Sequence, residues 1–309
     1  MEPVYIYIYT VRSLRSFTKA AEHLHISQPA LSMAIKKFED EINQPIFNRD
    51  TKPITLTIAG EIICAHIEEL FLLEANTKAA LDSVSDINSG QIILGGTQYI
   101  IAFVLPELIF NFTRKYPNVQ IVLIESSSDK LPDLLYNNRI DLTLSLKKFD
   151  LDIFSLYKGI TDHLFFALPK DFVTSPTLKE YCFTREEVLS SDYNDLESIP
   201  SLKELADIPF VLLREGNNLH DRILEIFSLE GISPPIKMYL DQLTTAHHIC
   251  KNGFAATLTT DILINKLGDN DNLFYLKYTH PLMIRDFKVI IKTKRYMSNV
   301  LSEFINMFN

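Results

Sequence analysis

A chain of 309 residues with 47% hydrophobic side chains is long enough for more than one domain with full-sized cores. Three cysteines (Cys64, Cys182, Cys250) at no regular spacing suit a reducing cytoplasm and argue against a disulfide framework, and no apolar run is long enough to span a membrane. The net charge of −9 excludes a protein that binds nucleic acid over its whole surface. It divides unevenly: residues 1–60 hold seven Lys/Arg against six Asp/Glu, about +1, which leaves about −10 for the rest. A weakly basic head on an acidic body fits contact with DNA through one module, used in more than one copy.

The N-terminal run MEPVYIYIYTVRSL is apolar and rich in tyrosine, and its β-branched and aromatic content by itself favours a strand. It lacks the basic start and small-residue cleavage site of a signal peptide. Phe17, Ala20, Ala21 and Leu24 then recur at helical spacing, and His25-Ile26-Ser27 breaks the pattern. Ser27 suits an N-cap, and Gln28-Pro29 suits a first turn, where proline's missing N–H costs nothing. Leu31, Ile35, Phe38 and Ile42 form the apolar stripe of a second helix, leaving Gln28, Ser32, Met33, Lys36 and Lys37 on its other faces. Pro45-Ile46-Phe47 turns the chain, and Asn48 to Thr57 reads as a hairpin-like wing with Pro53 shaping its turn. Two amphipathic helices around a short turn occur in many folds. A capped N-terminus with polar side chains nearby and lysines further along suits a helix that reads the major groove.

The run SFTKAAEHLHISQPALS…IKKFEDEINQPIFNR…LTIAG resembles the winged helix-turn-helix of the LysR-type transcriptional regulators, with matches from Ser16, Phe17 and Ala20 through Ser27-Gln28-Pro29-Ala30-Leu31-Ser32 to Arg49, Thr57 and Gly60. The resemblance implies a DNA-binding domain over residues 1–57, with the helix-turn-helix at about 18–37. It also turns the N-terminal run into a first helix, with Tyr5, Ile8 and Val11 packing beneath. Double-stranded promoter DNA is the implied partner. Gln28, Pro29 and Ser32 are placed to read bases beside Ser27, and Lys36, Arg49 and Lys52 to meet phosphate. The family's usual Arg-Gln after the serine is Met33-Ala34 here, so that arginine contact is missing.

From Ile58 to about Ile87 the chain has no proline and a single glycine, Gly60. Ile63, Leu70, Thr77 and Val84 recur every seven residues, as do His66, Leu73, Ala80 and Ile87, and Thr77 and His66 weaken the seam. The pattern also suits a helix packed on its own domain. The resemblance implies a linker helix over 58–89 that forms a homodimer through residues 58–88, and it favours a homotetramer built from dimers.

Beyond Gly90, strands at 91–95, 119–125 and 142–146 alternate with helices at 106–116 and 131–138, which predicts a parallel sheet with ligands at the strands' C-terminal ends. A crossing strand at 164–168 leads to further alternation: strands at 209–213, 236–240 and 255–259, and helices at 202–206, 219–229 and one ending at Asn252-Gly253. The chain crosses back near 273–278 and finishes with a strand at 286–291 and a helix from Ser298. The pattern GQIILGGT…LPELIFNFTRKYPNVQIVLIESSS…LPDLLYNNRIDLTLSL resembles the LysR-type effector module, itself similar to periplasmic solute-binding proteins. The fold class expected is therefore multidomain: an all-α winged helix-turn-helix, a long linker helix and an α/β effector domain at 90–309. In that domain subdomain I spans 90–162 and 268–309, and subdomain II spans 163–267. The stretch 173–201 departs from the family, which crosses there in far fewer residues, and surface decoration, a lid and an oligomer contact all fit it.

A small-molecule effector is expected in the cleft between subdomains. Candidates are Thr97, Gln98, Ser127, Ser128 and Lys147 on one side and Arg214, Asn217, Thr245 and His247 on the other. Hydroxyls, helix N–H groups and one or two cations suit a small anion such as a carboxylate, although serine and threonine at strand ends also serve as helix caps. No cofactor, metal or membrane is expected, and no nucleophile elbow, P-loop or H-E-x-x-H occurs. Two alternatives stand beside the regulator: a solute-binding or enzymatic protein, and a redox-sensing regulator acting through Cys182 and Cys250.

Overall fold

The computed structural model describes residues 3–51, 53–85, 89–268, 272–293 and 297–308, and the chain divides into two compact units, Met1–Ser85 and Asp86–Asn309. The first unit opens with α1 (Pro3–Leu14), α2 (Phe17–His23) and α3 (Gln28–Glu41). The β-propensity of the first segment is overridden because α1 buries Ile8 and Val11 against Phe17, Ala20, Leu31 and Ile35. His25 makes the sharp turn between α2 and α3 with a left-handed backbone (φ 55°). Ser27 then caps α3, accepting a hydrogen bond from the Ala30 N–H at 3.3 Å.

The wing is the pair β1 (Phe47–Asn48) and β2 (Thr55–Leu56), antiparallel, with Phe47 opposite Leu56. Helix α4 (Ile58–Ser85) follows at once. It packs so close to the chain before the wing that a Cβ on Gly60 would lie 2.1 Å from the Ile46 carbonyl oxygen, which only glycine permits. Cys64 and Ile67 of α4 are buried in the core of this unit, and Phe71 meets Tyr9 edge to face at 5.3 Å. The helix therefore packs on its own domain along one face. Of the predicted seam, Ile63 and Leu70 are half-buried, while His66, Leu73 and Thr77 are exposed. Ile87 and the side chains of Ala80 and Val84 lie outside the described residues.

The second unit runs β3 (Ser89–Gly96), a π-helical turn (Ile100–Val104), α5 (Leu105–Lys115), β4 (Asn118–Glu125), α6 (Leu131–Tyr136) and β5 (Leu142–Ser145). A 16-residue strand, β6 (Phe154–Pro169), carries the chain across. There follow α7 (Pro176–Glu180), β7 (Cys182–Phe183), α8 (Arg185–Ser190), β8 (Phe210–Leu213), α9 (Asn218–Glu230), β9 (Ile236–Leu240), α10 (Leu243–Lys251), β10 (Thr257–Thr260) and α11 (Asp261–Lys266). The return runs through β11 (Leu273–Leu276), β12 (Ile284–Lys292) and α12 (Asn299–Asn306), which Ser298 caps.

The expected parallel sheet holds locally: β3 pairs in parallel with β4 and β5, and β8 with β9. The return of the chain makes the whole mixed, because β12 runs antiparallel to both β5 and β6, and β10 and β11 antiparallel to β6. Strand β6 is three times longer than its sequence suggests, since its first half pairs with β12 while facing solvent. A Cβ on Gly159 would lie 2.2 Å from the Phe287 carbonyl oxygen, so glycine lets those two strands approach. The 173–201 stretch is more than surface decoration. Leu178, Val188, Leu196 and Ile199 are buried, and β7 adds an edge strand to β11.

Candidate DNA-reading surface and effector cleft

On α3 the buried residues Leu31, Ile35 and Glu39 lie on one face, which leaves Gln28, Pro29, Met33, Lys36 and Lys37 exposed. The buried Glu39 carboxylate grips the start of the wing, accepting from the Ile46 N–H at 2.8 Å and from Arg49 Nη2 at 2.8 Å. Arg49 also donates to Ser32 Oγ at 3.1 Å and lies over the Phe17 ring at 5.2 Å. It is thus a strut between wing and helix, with its side chain 39% exposed. Ser32, Met33, Lys36 and Arg49 line one shallow concave surface together with Lys37, Asp40 and Glu41. Lys36 pairs with Asp40 at 2.9 Å and Lys37 with Glu41 at 3.9 Å, both exposed pairs of small worth that a stronger anion can displace. Ser27 is the cap of α3, Lys36 is exposed on it, and Lys52 lies outside the described residues.

In the second unit the C-terminal ends of β3, β4 and β5 open onto a cavity of about 710 Å3. Thr97, Gln98, Ser127, Ser128 and Lys147 line one wall, and Arg214 and Asn217 face them from the loop after β8. Two of the nine expected contacts fall elsewhere. Thr245 lies outside the lining, and His247 is fully buried with its Nδ1 3.0 Å from Thr259 Oγ1. The reason is helical phase: His247 continues the buried stripe of Leu243, Ala246 and Cys250. Asn217 is largely committed as the cap of α9, accepting from the Leu219 N–H at 3.0 Å.

Each cation in the cleft already has a carboxylate. Lys147 is paired with Asp129, and Arg214 with Asp241 at 3.1 Å. On the floor, Arg285 Nε donates to Asp162 Oδ1 at 2.7 Å, and the Tyr99 hydroxyl donates to the same carboxylate at 2.6 Å while lying 3.0 Å from Thr260 Oγ1. The guanidinium carbon lies 4.9 and 5.1 Å from the Tyr99 and Phe287 rings, which stack on each other with centroids 6.3 Å apart. Burial and the Asp162 charge push the Tyr99 phenol far up, so it acts as a fixed donor. Burial opposes the Arg285 charge, but Asp162 outweighs it and raises the pKa. Sequence reading missed this cluster. The signal was the alternation of Arg285, Phe287 and Val289 along β12, which puts the arginine on the buried face.

Burial pushes the Cys182 thiol up to about 12 and Cys250 further still, and Cys250 Sγ donates to the Ala167 carbonyl. Such thiols are poor nucleophiles, which weighs against the redox alternative. Among the described residues no helix is long and apolar enough to cross a membrane.

Residues 6–61 match the bacterial regulatory helix-turn-helix protein, lysR family, and residues 85–309 match the LysR substrate binding domain. A protein of Emiliania huxleyi named "Probable RuBisCO transcriptional regulator" is 26% identical over 96% of this chain and 90% of its own length. The uncharacterised HTH-type transcriptional regulator YcgK of Bacillus subtilis is 25% identical over 95% and 89%. In fold, the chain is similar to full-length CbnR crystallised with its target DNA, with a TM-score of 0.58 at 16% identity, covering 99% of this chain and 98% of that one.

Proposed function

The chain belongs to the LysR family of transcriptional regulators, and from that premise we propose that α3 reads an operator while the cleft of the second unit holds a small zwitterionic effector. Gln28, Pro29 and Ser32 meet base edges, glutamine being able to pair with adenine through two bonds. Lys36, Arg49 and Lys52 meet phosphate. Two copies pair along residues 58–88, where Ile62, Leu73 and Leu81 are exposed apolar side chains on α4, and pairs of dimers assemble in the cytoplasm. The solute-binding or enzymatic alternative leaves the helix-turn-helix match over residues 6–61 without a role.

The observation that carries the effector class is that carboxylates line the cleft beside its cations, Asp129 next to Lys147 and Asp241 next to Arg214. Glu125, Glu215 and Asp221 add further negative charge to the lining. Both pairs are exposed and cost little to open, but a simple anion would still meet the remaining carboxylates of the lining. A molecule with both a carboxylate and an ammonium satisfies both members of such a pair, while the hydroxyls of Thr97, Ser127 and Ser128 complete its acceptors. Ligand-induced closure would then shift which dimer arrangement is populated.

The test is thermal unfolding of the full chain against amino acids, the matching acids without the amino group and the matching amines. Saturating stabilisation by an amino acid, lost in Asp241→Ala and in Thr97→Ala, supports the reading. Equal stabilisation by the deaminated acid returns the site to a plain anion.

A further inference from the structure

Met33 is the most exposed large apolar side chain on α3, 67% accessible, and it faces away from the buried stripe of Leu31 and Ile35. No packing demand of the unit explains a methionine there. It stands beside Ser32 and, one turn on, Lys36 and Lys37, with Arg49 on the same concave surface. That is an apolar knob ringed by polar and charged groups, its lysines in exposed pairs with Asp40 and Glu41, on the helix whose capped N-terminus and lysines suit a DNA groove.

A thioether cannot make the paired hydrogen bonds by which arginine reads guanine or glutamine reads adenine. The apolar group that base pairs display in the major groove is the thymine C5 methyl. We propose that Met33 reads thymine, its side chain packing on the C5 methyl of one base in each half-site. This rests on the reading that α3 enters the major groove, and it adds what the uncharged part of the helix recognises. Specificity at that base pair then comes from apolar contact, while Gln28 and Ser32 supply the hydrogen bonds.

The test uses full-length protein and the DNA segment upstream of its own coding sequence that it protects in a footprint. Each thymine is replaced singly by deoxyuridine, which removes the methyl and keeps every hydrogen bond, and affinity is read by fluorescence anisotropy at fixed salt. The wild type should lose about fourfold at one thymine per half-site, equivalent to about 0.8 kcal/mol for one buried methyl-sized group. Met33→Ala should bind thymine and uracil duplexes alike at that position, and Met33→Leu should restore the preference. If Met33→Ala keeps the wild-type ratio, or if no thymine replacement weakens the wild type, Met33 does not read thymine. Should Gln28→Ala with Ser32→Ala also leave affinity unchanged, the groove reading of α3 falls with it. Loss of affinity in that double variant alone confines the failure to Met33.

Discussion

Arg49 in the first unit and Arg285 in the second are built alike: a guanidinium against a buried carboxylate, resting on aromatic rings. Arg49 meets Glu39 and the Phe17 ring, with more than a third of its side chain in solvent. Arg285 meets Asp162 beside the stacked rings of Tyr99 and Phe287, with its side chain 6% exposed and that of Asp162 fully buried. Solvent is the difference, and it changes what the pair does. A sealed pair cannot release either partner without stranding a charge in a poor dielectric, so it fastens. An open pair keeps donors on a surface where an anion can approach, so it holds a contact in readiness.

The sharpest way to break the comparison is Asp162→Ala. It leaves Arg285 buried without its counter-charge and takes the acceptor from the Tyr99 hydroxyl, so the second unit should lose about 3–5 kcal/mol. Hydrogen exchange resolved by mass spectrometry reads this as faster exchange in β6 and β12, with α1 to α3 unchanged. A loss under about 1 kcal/mol would mean that water reaches Arg285 and the contrast is false. Glu39→Ala should cost the first unit less, about 1–3 kcal/mol, chiefly because the buried Ile46 N–H loses its acceptor. Glu39→Gln keeps that acceptor and should recover most of the stability while leaving Arg49 loose and DNA affinity reduced.

The mildest probe is alkaline pH, since each unit buries a thiol. Burial holds Cys64 at about 11, with Arg12 easing the shift and Glu68 adding to it, and holds Cys182 at about 12. Both values lie above the roughly 8.5 of a free thiol, so folding favours the protonated form. That stability is complete below about pH 8.5 and drains away as pH rises, by about pH 11 for Cys64 and about pH 12 for Cys182. Cys64→Ala should flatten the first unit's alkaline loss, and Cys182→Ala the second's, each followed by exchange in its own unit.

The first unit was legible because its signals are local. Ser27, Pro29 and the stripe of Leu31 and Ile35 lie within nine residues of one another, and capping and periodicity act over that range. Strand ends in the second unit were legible for the same reason, which placed Thr97, Ser127 and Lys147 on the cleft. What failed was tertiary. Half of β6 reads as a mixed polar run because β12 supplies its partner, and the Asp162–Arg285 pair joins strands 123 residues apart. His247 is a local case: its spacing from Leu243 and Cys250 puts it in the core, and helical phase outweighs the chemistry of its ring.

The length of that separation also sets a schedule. A ribosome adding about 5–20 residues per second needs about 6–25 s to travel from Asp162 to Arg285. Through that interval the first half of β6 has no β12 to pair with, and the Asp162 carboxylate has no counter-charge. The reading helix is complete by Glu41, and its unit, Met1–Ser85, is a compact body in its own right. Every newly made molecule is therefore expected to own a folded reading head well before it owns a cleft, competent to touch DNA while still deaf to its signal.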